Sequence, residues 1–537
     1  MMKKIISHTI SLILPFVFIS CGSGGGPSSI TPEGKTNPPG NKDVAVSSVV
    51  LSLTKGYLEN GGTLYLEAEV RPSNATNKTV TWSSSNTDIV SVSSNGVATA
   101  KSKGTATITA SCGTKSAACT ITVLDDATDL SLFDIYGNGI AKTTANCYVV
   151  SKPGFYKIPM VYGNALKNGT TNKSAYMTSN SGDDILSNFL DHTGKGICTG
   201  NDTKDPWVSQ KYSINKAGLI WQDSKDLLLG IAMTGDKGVK EEKYVTFYID
   251  KENFTQGNAI VAAYDSDNIV AWSWHIWVTD IDLTTVNVKN LSGVSFDFLP
   301  VFLGWCEPES SKSKNGGTYG NCTYYQWGRK DPMLPSKGNG GKSDKGYYGK
   351  MGTLLDGSFG YKSLKDDIKS YIQNPNQFNI NGNKDLDMDN KYINLWHMEY
   401  KGSHTWERKK TVYDPSPIGF SVPPVGAFTG FTIDGQWTDN LEKINSDASF
   451  KVGYNFYTQG WKTGPIIKFP ACGSRTESGV YATAEGGWCW MSFTTTGSTK
   501  SAYMMAYFKS ATKENTVGPI LTTFKGSGNT IFSCKED

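Results

Sequence analysis

The chain has 537 residues, enough for about three folded domains of ~150 residues each, and 38% of them are hydrophobic, which leaves room for real cores. Its 52 lysines and arginines nearly balance 49 aspartates and glutamates. Because nucleic-acid binding requires a strongly basic surface, this balance argues against a nucleic-acid partner. Beyond the N-terminal segment, the longest apolar run is residues 298–305, which is too short to cross a bilayer.

The N-terminal segment has the pattern of an export signal. A short basic start is followed by an apolar run at residues 5–19, which is too short and poorly flanked for a spanning helix. The run closes on Ser20-Cys21-Gly22, which resembles the lipobox of bacterial lipoproteins, where the cysteine is acylated and becomes the mature N-terminus. The resemblance implies a lipoprotein signal peptide at residues 1–21 and a lipid anchor on Cys21. An ordinary signal peptide with an incidental cysteine is the alternative.

Residues 22–44 form the predicted tether between the lipid and the folded part. They are rich in Gly, Ser, Pro, Asn and Lys, a composition that cannot bury a core and behaves as a flexible linker. The expected location is the outer membrane, reached through the lipid anchor. The tether lacks the acidic cluster after the cysteine that often accompanies surface export, so cell-surface display and a periplasmic orientation both stay open.

Residues 45–124 show the period-two alternation of half-buried strands. Leu64, Leu66, Ala68 and Val70 share one face, and turn-rich stretches separate this strand from its neighbours. Several short strands in a segment of this length predict a β-sandwich.

Four phrases in this segment resemble the bacterial immunoglobulin-like (Ig-like) domain, group 2. They lie at residues 70–78, 80–86, 96–100 and 104–110. In that family the domain is usually a stalk or spacer on surface proteins, and sometimes an adhesive module. The resemblance therefore implies a spacer, with Trp82 as the core tryptophan of the sandwich.

Residues 127–281 predict a second β-sandwich-like unit. A strand at residues 146–150 leads through Pro153-Gly154 into another at 156–164, which is a hairpin signature. Near the end of the unit, an apolar strand precedes the turn at residues 265–268 and a second strand follows it.

The second of these strands carries three tryptophans. Trp272 and Trp274 share one face with apolar neighbours, which favours core packing. Trp277 points to the opposite face, where packing and ligand binding are equally open interpretations.

Residues 282–537 have longer loops, more glycine and one predicted helix. Leu364, Ile368 and Ile372 form an apolar stripe, Ser363 is a fair N-cap, and Asn374-Pro375 ends the helix. The pattern predicts a mixed α+β module.

A second resemblance covers the C-terminal half. Phrases at residues 273–280, 303–306, 324–332, 410–417 and 422–424 recur together in surface lipoproteins and fimbrillin-related proteins of gut Bacteroidales. The C-terminal part is similar to the Fibrobacter succinogenes major paralogous domain, whose fold is similar to C-type lectins and to the formylglycine-generating enzyme.

Three further phrases carry the similarity to that domain. Residues 469–471 open one strand, residues 486–490 form the next, and residues 531–534 close the domain, with Ser533 in place of the usual arginine. Ser416 likewise stands where cysteine is common. The resemblance implies a fold and no particular ligand.

Nine cysteines remain once Cys21 carries lipid, so at least one is unpaired or pairs between chains. Three disulfides are candidates, and they would join Cys306 to Cys322, Cys472 to Cys489 and Cys112 to Cys119. For the second pair a redox site is the alternative. For the third pair the strand register is undecided from sequence.

No nucleophile motif or zinc-binding motif is present in the sequence, and no cofactor is expected. One weak calcium candidate exists. Asp385, Asp387 and Asp389 have the spacing that opens an EF-hand loop, but the sixth position lacks glycine and the twelfth lacks glutamate. A solvated acidic loop is the alternative.

The 14 tryptophans, 26 tyrosines and 22 phenylalanines are the remaining indication of binding. Seven aromatic residues lie in glycine-rich or polar segments and are candidate ligand contacts: Trp305, Tyr324, Tyr347, Tyr348, Trp437, Tyr457 and Trp461. Each of them could instead fill the core of an irregular domain.

The predicted fold class is mainly β, with an Ig-like β-sandwich, a second β-sandwich-like unit and an α+β C-type-lectin-like domain. The predicted protein is a cell-envelope lipoprotein that presents a lectin-like module on an Ig-like stalk. It would adhere to or capture a glycan or a host or bacterial surface protein. A fimbrial accessory or tip subunit, with fimbrial subunits as partners, is the alternative. A carbohydrate-active enzyme or cysteine-dependent oxidase is the third possibility.

Overall fold

The computed structural model describes residues 43–537 except 181, 199–205, 236–241, 253, 308–321, 335–345, 351, 353, 356–360, 363, 365–366, 381–391, 401–405, 448–452, 480, 483–485, 495–499, 510–513 and 537. Strands predominate in this part of the chain, which confirms the mainly β prediction. Two short α-helices are described, α1 (Val208–Lys211) and α2 (Ile368–Gln373). Cys21 and residues 22–42 of the tether lie outside the described residues.

The N-terminal sandwich comprises nine strands, β1 (Ser48–Leu51), β2 (Lys55–Glu59), β3 (Thr63–Tyr65), β4 (Ala68–Arg71), β5 (Thr81–Ser84), β6 (Val90–Val92), β7 (Val97–Ala100), β8 (Gly104–Cys112) and β9 (Lys115–Leu124). β2, β9, β8 and β5 form one sheet in that order, and β1 pairs with β4. Alternate residues of β8 and β9, including Ile108, Ala110 and Ile121, are fully buried between the layers. The period-two pattern therefore marks the core face correctly.

The central sandwich follows with β10 (Thr128–Asp129), β11 (Cys147–Val150), β12 (Gly154–Pro159), β13 (Leu166–Lys167), β14 (Thr170–Thr171), β15 (Lys216–Gln222), β16 (Leu229–Gly235), β17 (Lys243–Ile249), β18 (Gly257–Tyr264) and β19 (Val270–Val278). The turn at residues 265–268 joins β18 to β19, as predicted, and Asn268 adopts a φ of 64° there. Trp272, Trp274 and Trp277 are all fully buried, which settles their role as core residues.

The prediction of a hairpin around Pro153-Gly154 is wrong. β11 pairs in parallel with β19, whereas β12 pairs with β17 in the other sheet. The turn therefore carries the chain from one layer of the sandwich to the other. The local sequence shows a turn between two strands but not whether those strands pair with each other.

The C-terminal half contains the remaining strands, β20 (Val286–Lys289), β21 (Ser295–Phe298), β22 (Tyr325–Gln326), β23 (Tyr347–Tyr348), β24 (Leu354–Leu355), β25 (Tyr361–Lys362), β26 (Phe378–Asn379), β27 (His397–Tyr400), β28 (Trp406–Lys410), β29 (Phe420–Ser421), β30 (Gly453–Tyr457), β31 (Ile466–Pro470), β32 (Ser474–Arg475), β33 (Tyr481–Ala482), β34 (Gly486–Thr494), β35 (Lys500–Lys509), β36 (Glu514–Phe524), β37 (Gly528–Asn529) and β38 (Cys534–Lys535). β34, β35 and β36 form an antiparallel sheet. One hydrophobic core runs from Leu130 to Cys534, so residues 127–281 and 282–537 do not have separate cores.

The helix in this half begins later than the sequence predicts. α2 starts at Ile368, and its N-cap is Asp367, whose carboxylate accepts a hydrogen bond of 2.6 Å from the Ser370 N–H. Aspartate caps a helix as well as serine does, and here it lies four residues after Ser363. Asn374 is the C-cap, as expected.

Two large sheets position the residues that are considered below as a functional site. A six-stranded sheet has the order β11-β19-β18-β15-β23-β24, and a seven-stranded sheet has the order β10-β12-β17-β16-β3-β7-β6. The second sheet crosses from the central sandwich into the N-terminal one, because Thr63 of β3 lies opposite Met233 of β16.

The N-terminal sandwich is therefore built into a larger body. Residues 45–537 form one compact unit, and Ala232 of β16 packs in the core of the N-terminal sandwich. The rings of Tyr57 and Tyr248 stack with centroids 3.9 Å apart. Buried Glu59 accepts hydrogen bonds from the Ala127 N–H and, at 3.1 Å, from Lys157 Nζ. These contacts do not fit the expected role of a free spacer.

Candidate functional site at the sandwich junction

A cleft of about 370 Å³ lies where the N-terminal sandwich meets the central one. One side is lined by residues 51–55 with Leu64, Tyr65 and Glu67. The other side is lined by β15, Leu228, Leu229, Ile231, Tyr264 and the turn residues Gly349, Lys350 and Gly352, and the charged residues Lys225, Asp226 and Asp250 also belong to the lining. Binding sites for small ligands typically have volumes of ~300–1,000 Å³, so the cleft is at the small end of that range. We call it the junction cleft.

Lys216 and Tyr264 form one wall of the junction cleft. They are partners across β15 and β18, and Lys216 Nζ lies 4.6 Å from the centroid of the Tyr264 ring. Burial lowers the pKa of Lys216, the charge of Glu67 raises it, and the charge of Lys350 lowers it. The ammonium group is thus partly desolvated at the edge of an open cleft.

Burial, together with the charge of Glu67, raises the pKa of Tyr264 to about 12. The phenol is therefore protonated at neutral pH and is available as a hydrogen-bond donor.

Glu67 and Lys350 form an ion pair across the cleft. Their charged atoms are 2.5 Å apart, and the Glu67 backbone N–H donates to Ser52 Oγ at 3.0 Å. Lys350 lies in a turn closed by a hydrogen bond of 2.9 Å from the Gly352 N–H to the Gly349 carbonyl. The pair is about half exposed, so it contributes little to stability, but it engages the carboxylate that raises the pKa of Lys216.

The apolar part of the cleft comes from both sandwiches. Leu51 and Leu64 contribute from the N-terminal side, and Leu219 and Ile231 contribute from the central side. An apolar wall facing separated polar groups suits a small amphipathic ligand. The local sequence marks Leu64 only as a strand residue of the Ig-like segment. The four side chains come together through the pairing of β3 with β16, which no local pattern indicates.

Three of the predicted ligand aromatics are core residues instead, and for them the prediction is wrong. Trp305 is 3% exposed, and its carbonyl accepts a hydrogen bond of 2.9 Å from Trp277 Nε1. Tyr324 is fully buried and donates to the Cys472 carbonyl at 2.5 Å. Tyr347 is buried with its ring edge-on to Trp221. Irregular segments fold inward here because short strands leave gaps that large rings fill.

The other four predicted aromatics reach solvent to different degrees. Tyr348 in β23 and Tyr457 in β30 are half-buried strand residues. Trp437 is 52% exposed and Trp461 is 37% exposed, and neither lines the junction cleft.

Trp437 and Trp461 belong to connected segments. Asn445 Nδ2 donates to the carbonyls of Gly430 and Gly460, so the loops that carry the two tryptophans are tied together. That the exposed region around Trp437 and Trp461 binds a ligand stays a prediction.

The nine described cysteines are all buried thiols, so none of the three expected disulfides is formed among them. Burial raises the pKa of the Cys322 thiol, and its hydrogen bond with Cys472 and the charge of Cys306 add to that shift. Cys489 accepts a hydrogen bond of 3.2 Å from the Phe532 N–H. The structure thus brings Cys322 to Cys472.

Cys112 and Cys119 do not meet. In the register of β8 and β9, Cys112 lies opposite Lys115 and Cys119 lies opposite Ile108. The two residues are therefore four positions apart along the ladder, or ~13 Å, which is too far for a disulfide.

The recurrent C-terminal phrases form a buried polar network. Asn146 Nδ2 donates to the carbonyls of Val412 and Asp414, and Asn146 Oδ1 accepts from Trp272 Nε1 at 3.1 Å. Lys330 Nζ lies 2.9 Å from both carboxylate oxygens of Asp331 and 4.5 Å from the Trp272 ring. These residues hold the C-terminal half against the central sandwich.

Asp385, Asp387 and Asp389 lie outside the described residues, so the calcium prediction stays a prediction. Within the described ranges, no helix is both long and apolar enough to cross a bilayer.

Comparison with known proteins identifies the N-terminal sandwich. Residues 45–123 match the family of the bacterial Ig-like domain (group 2). This sandwich is a bacterial Ig-like domain. The match confirms the resemblance and its boundaries to within one residue.

Curated relatives share the Ig-like domain alone. A kappa-carrageenase of Pseudoalteromonas carrageenovora is 49% identical over 85 residues, which are 16% of this chain and 21% of the relative. An uncharacterized protein of Clostridium acetobutylicum is 41% identical over 86 residues, 16% of this chain and 9% of the relative. The chain thus spans about a fifth or less of these relatives.

Similar solved structures include surface proteins. A mutant of intimin from EHEC O157:H7 covers 14% of this chain and 42% of its own, with 25% identity and a TM-score of 0.11. Domains 5–6 of the S-layer protein SbsC cover 44% of this chain and 98% of their own, with 13% identity and a TM-score of 0.16.

Proposed function

We propose that this protein is an exported, lipid-tethered component of the cell envelope that captures a glycan or a partner protein without chemical turnover. The observation that carries the proposal is the junction cleft, because the Ig-like domain supplies one of its walls. An Ig-like domain that forms one wall of the cleft takes part in ligand binding itself. A stalk would only separate the binding module from the membrane.

Export and anchoring rest on the sequence. The lipobox-like Ser20-Cys21-Gly22 and the flexible residues 22–44 would place the folded body a short distance from an outer membrane, held by acyl chains on Cys21. A kappa-carrageenase shares a segment that is 49% identical over 85 residues, which supports a glycan as the captured partner.

A lectin-like role for the C-terminal half is supported by Trp437 and Trp461. Their exposed rings belong to segments joined through Asn445, where apolar faces could stack on a sugar or a partner side chain. In this account, the junction cleft and the tryptophan region are two parts of one capture surface.

The test uses the mature chain from residue 22 onward, screened against a glycan array and a panel of envelope and host surface proteins. We expect reversible binding in the micromolar range, typical of shallow sites without avidity. Intact cells should lose the folded body on mild protease treatment, and globomycin-type inhibition of signal cleavage should block maturation at Cys21.

Two results would count against the proposal. The absence of any ligand for correctly folded protein would remove the capture function. Release of the protein with sheared filaments would favour the alternative of a fimbrial accessory or tip subunit.

A further inference from the structure

The junction cleft holds a cation, Lys216, and the carboxylate that most affects it, Glu67, is already engaged in an ion pair. Within the described part of the chain, no carboxylate lies within 4.0 Å of Lys216 Nζ, and Glu67, the acidic group that most affects it, is bound to Lys350. Since charged groups away from bulk water favour a counter-charge, Lys216 is poised to receive an anion.

The surroundings of Lys216 restrict what that anion can belong to. The cleft volume of about 370 Å³ admits only a small ligand or the end of a longer one. Leu219 and Ile231 offer an apolar wall, and Tyr264 offers a phenol donor beside the ammonium group. An anionic sugar combines an apolar ring face, hydroxyl groups and a charge in one unit of this size.

We propose that the junction cleft binds a saccharide that bears a carboxylate or sulfate group, with Lys216 as the anion-binding residue. This inference rests on the proposed capture function and names the chemical class of its ligand. Lys216 supplies the charge-assisted hydrogen bond, and Leu219 and Ile231 pack against the sugar ring.

The Glu67–Lys350 ion pair controls how tightly the junction cleft binds an anion. Glu67 neutralises Lys350 and also attracts Lys216. Loss of the Glu67 charge would remove the acidic group that pairs with Lys350 and attracts Lys216, while Asp226 and Asp250 stay in the lining. The cleft would become more positive by one charge, which should strengthen the binding of an anion.

The test is calorimetric titration of the mature chain with three probes. These are a sulfated galactan oligosaccharide, its desulfated counterpart and an oligogalacturonate. At least one anionic probe should bind about 10-fold more tightly than the neutral one, and the preference should shrink as salt rises. The two anionic probes distinguish sulfate from carboxylate.

Substitutions show whether the probes bind in the junction cleft. Lys216→Gln should weaken anionic-probe binding about 10-fold, Lys216→Arg should retain it, and Glu67→Gln should strengthen it several-fold. Lys115→Gln is the control, since Lys115 is an exposed lysine of the Ig-like domain that does not line the cleft. Unchanged thermal unfolding of each variant shows that the fold is intact.

Several results would overturn the inference. Equal binding of anionic and neutral probes would do so, as would equal effects of Lys216→Gln and Lys115→Gln. Lys216-dependent binding of a hexaglutamate peptide without any sugar binding would assign the cleft to acidic peptides. In each of these cases capture itself still stands, whereas failure of all probes and of the wider ligand panel would remove both proposals.

Discussion

Replacement of Gly230 by alanine tests whether the Ig-like domain is docked onto the central sandwich. Gly230 lies in β16 with a φ of 59°, and a Cβ there would be 2.8 Å from the backbone nitrogen of Tyr57 in β2. The left-handed conformation costs an L-residue ~1–2 kcal/mol, and overpacking against rigid backbone costs a further ~1–3 kcal/mol. We therefore expect Gly230→Ala to lower the free energy of unfolding by ~2–5 kcal/mol.

The matched control is Gly235→Ala in the same strand. Gly235 has no left-handed φ, and an added Cβ would meet no atom within 4 Å. This change should be neutral or stabilise the protein by up to ~1 kcal/mol, because alanine restricts the unfolded chain. Urea unfolding followed by tryptophan fluorescence and circular dichroism measures both variants. Equal midpoints for the two variants would show that β16 does not press on β2 and would refute the docking argument.

Three further outcomes follow from the described contacts. Trp305→Ala should cost ~3–5 kcal/mol of stability because the ring is buried, whereas Trp437→Ala should cost under ~1 kcal/mol, and similar unfolding midpoints would contradict their assigned burial. Burial lowers the pKa of His275 to about 3, so the folded state resists protonation and stability falls as pH drops below the unfolded pKa of ~6.5. Between pH 7 and pH 5 this loss is about 2 kcal/mol, and it should be absent in His275→Gln; identical pH profiles of urea midpoints would exclude it. In protein exported to an oxidising compartment, non-reducing peptide mapping should link Cys322 to Cys472, and a Cys306–Cys322 link would contradict the observed arrangement.

Local patterns in the sequence predicted the parts of the fold that local physics controls. Alternating apolar residues located the buried face that holds Leu64, Leu66 and Val70. The apolar neighbours of Trp272 and Trp274 correctly placed those rings in the core. The Ig-like phrases were specific enough to give the domain and its bounds.

The errors arose where distant segments decide the outcome. Trp305 stands where an apolar run passes into a polar segment that looks like a loop, but its ring is buried and its carbonyl accepts a hydrogen bond from Trp277, 28 residues earlier. The pairing of β11 and β12 with different sheets is likewise set by β17 and β19.

The candidate site could not be predicted for the same reason. Glu67 and Lys350 are 283 positions apart in the sequence, yet they form an ion pair in the cleft. Lys216 and Tyr264 occupy ordinary strand positions, with nothing local to distinguish them from other strand residues. Only the docking of the Ig-like domain creates the cleft, and the sequence offered a spacer as the simpler interpretation.

The central claim is that the Ig-like domain belongs to the same folded body as the central sandwich. Native-state hydrogen exchange of the mature chain under increasing urea measures this directly, by comparing amides of β8 and β9 with amides of β17 and β18. The account predicts that both sets lose their strongest protection at the same urea concentration. If β8 and β9 open at a clearly different concentration, the Ig-like domain is an independent unit and the account is wrong.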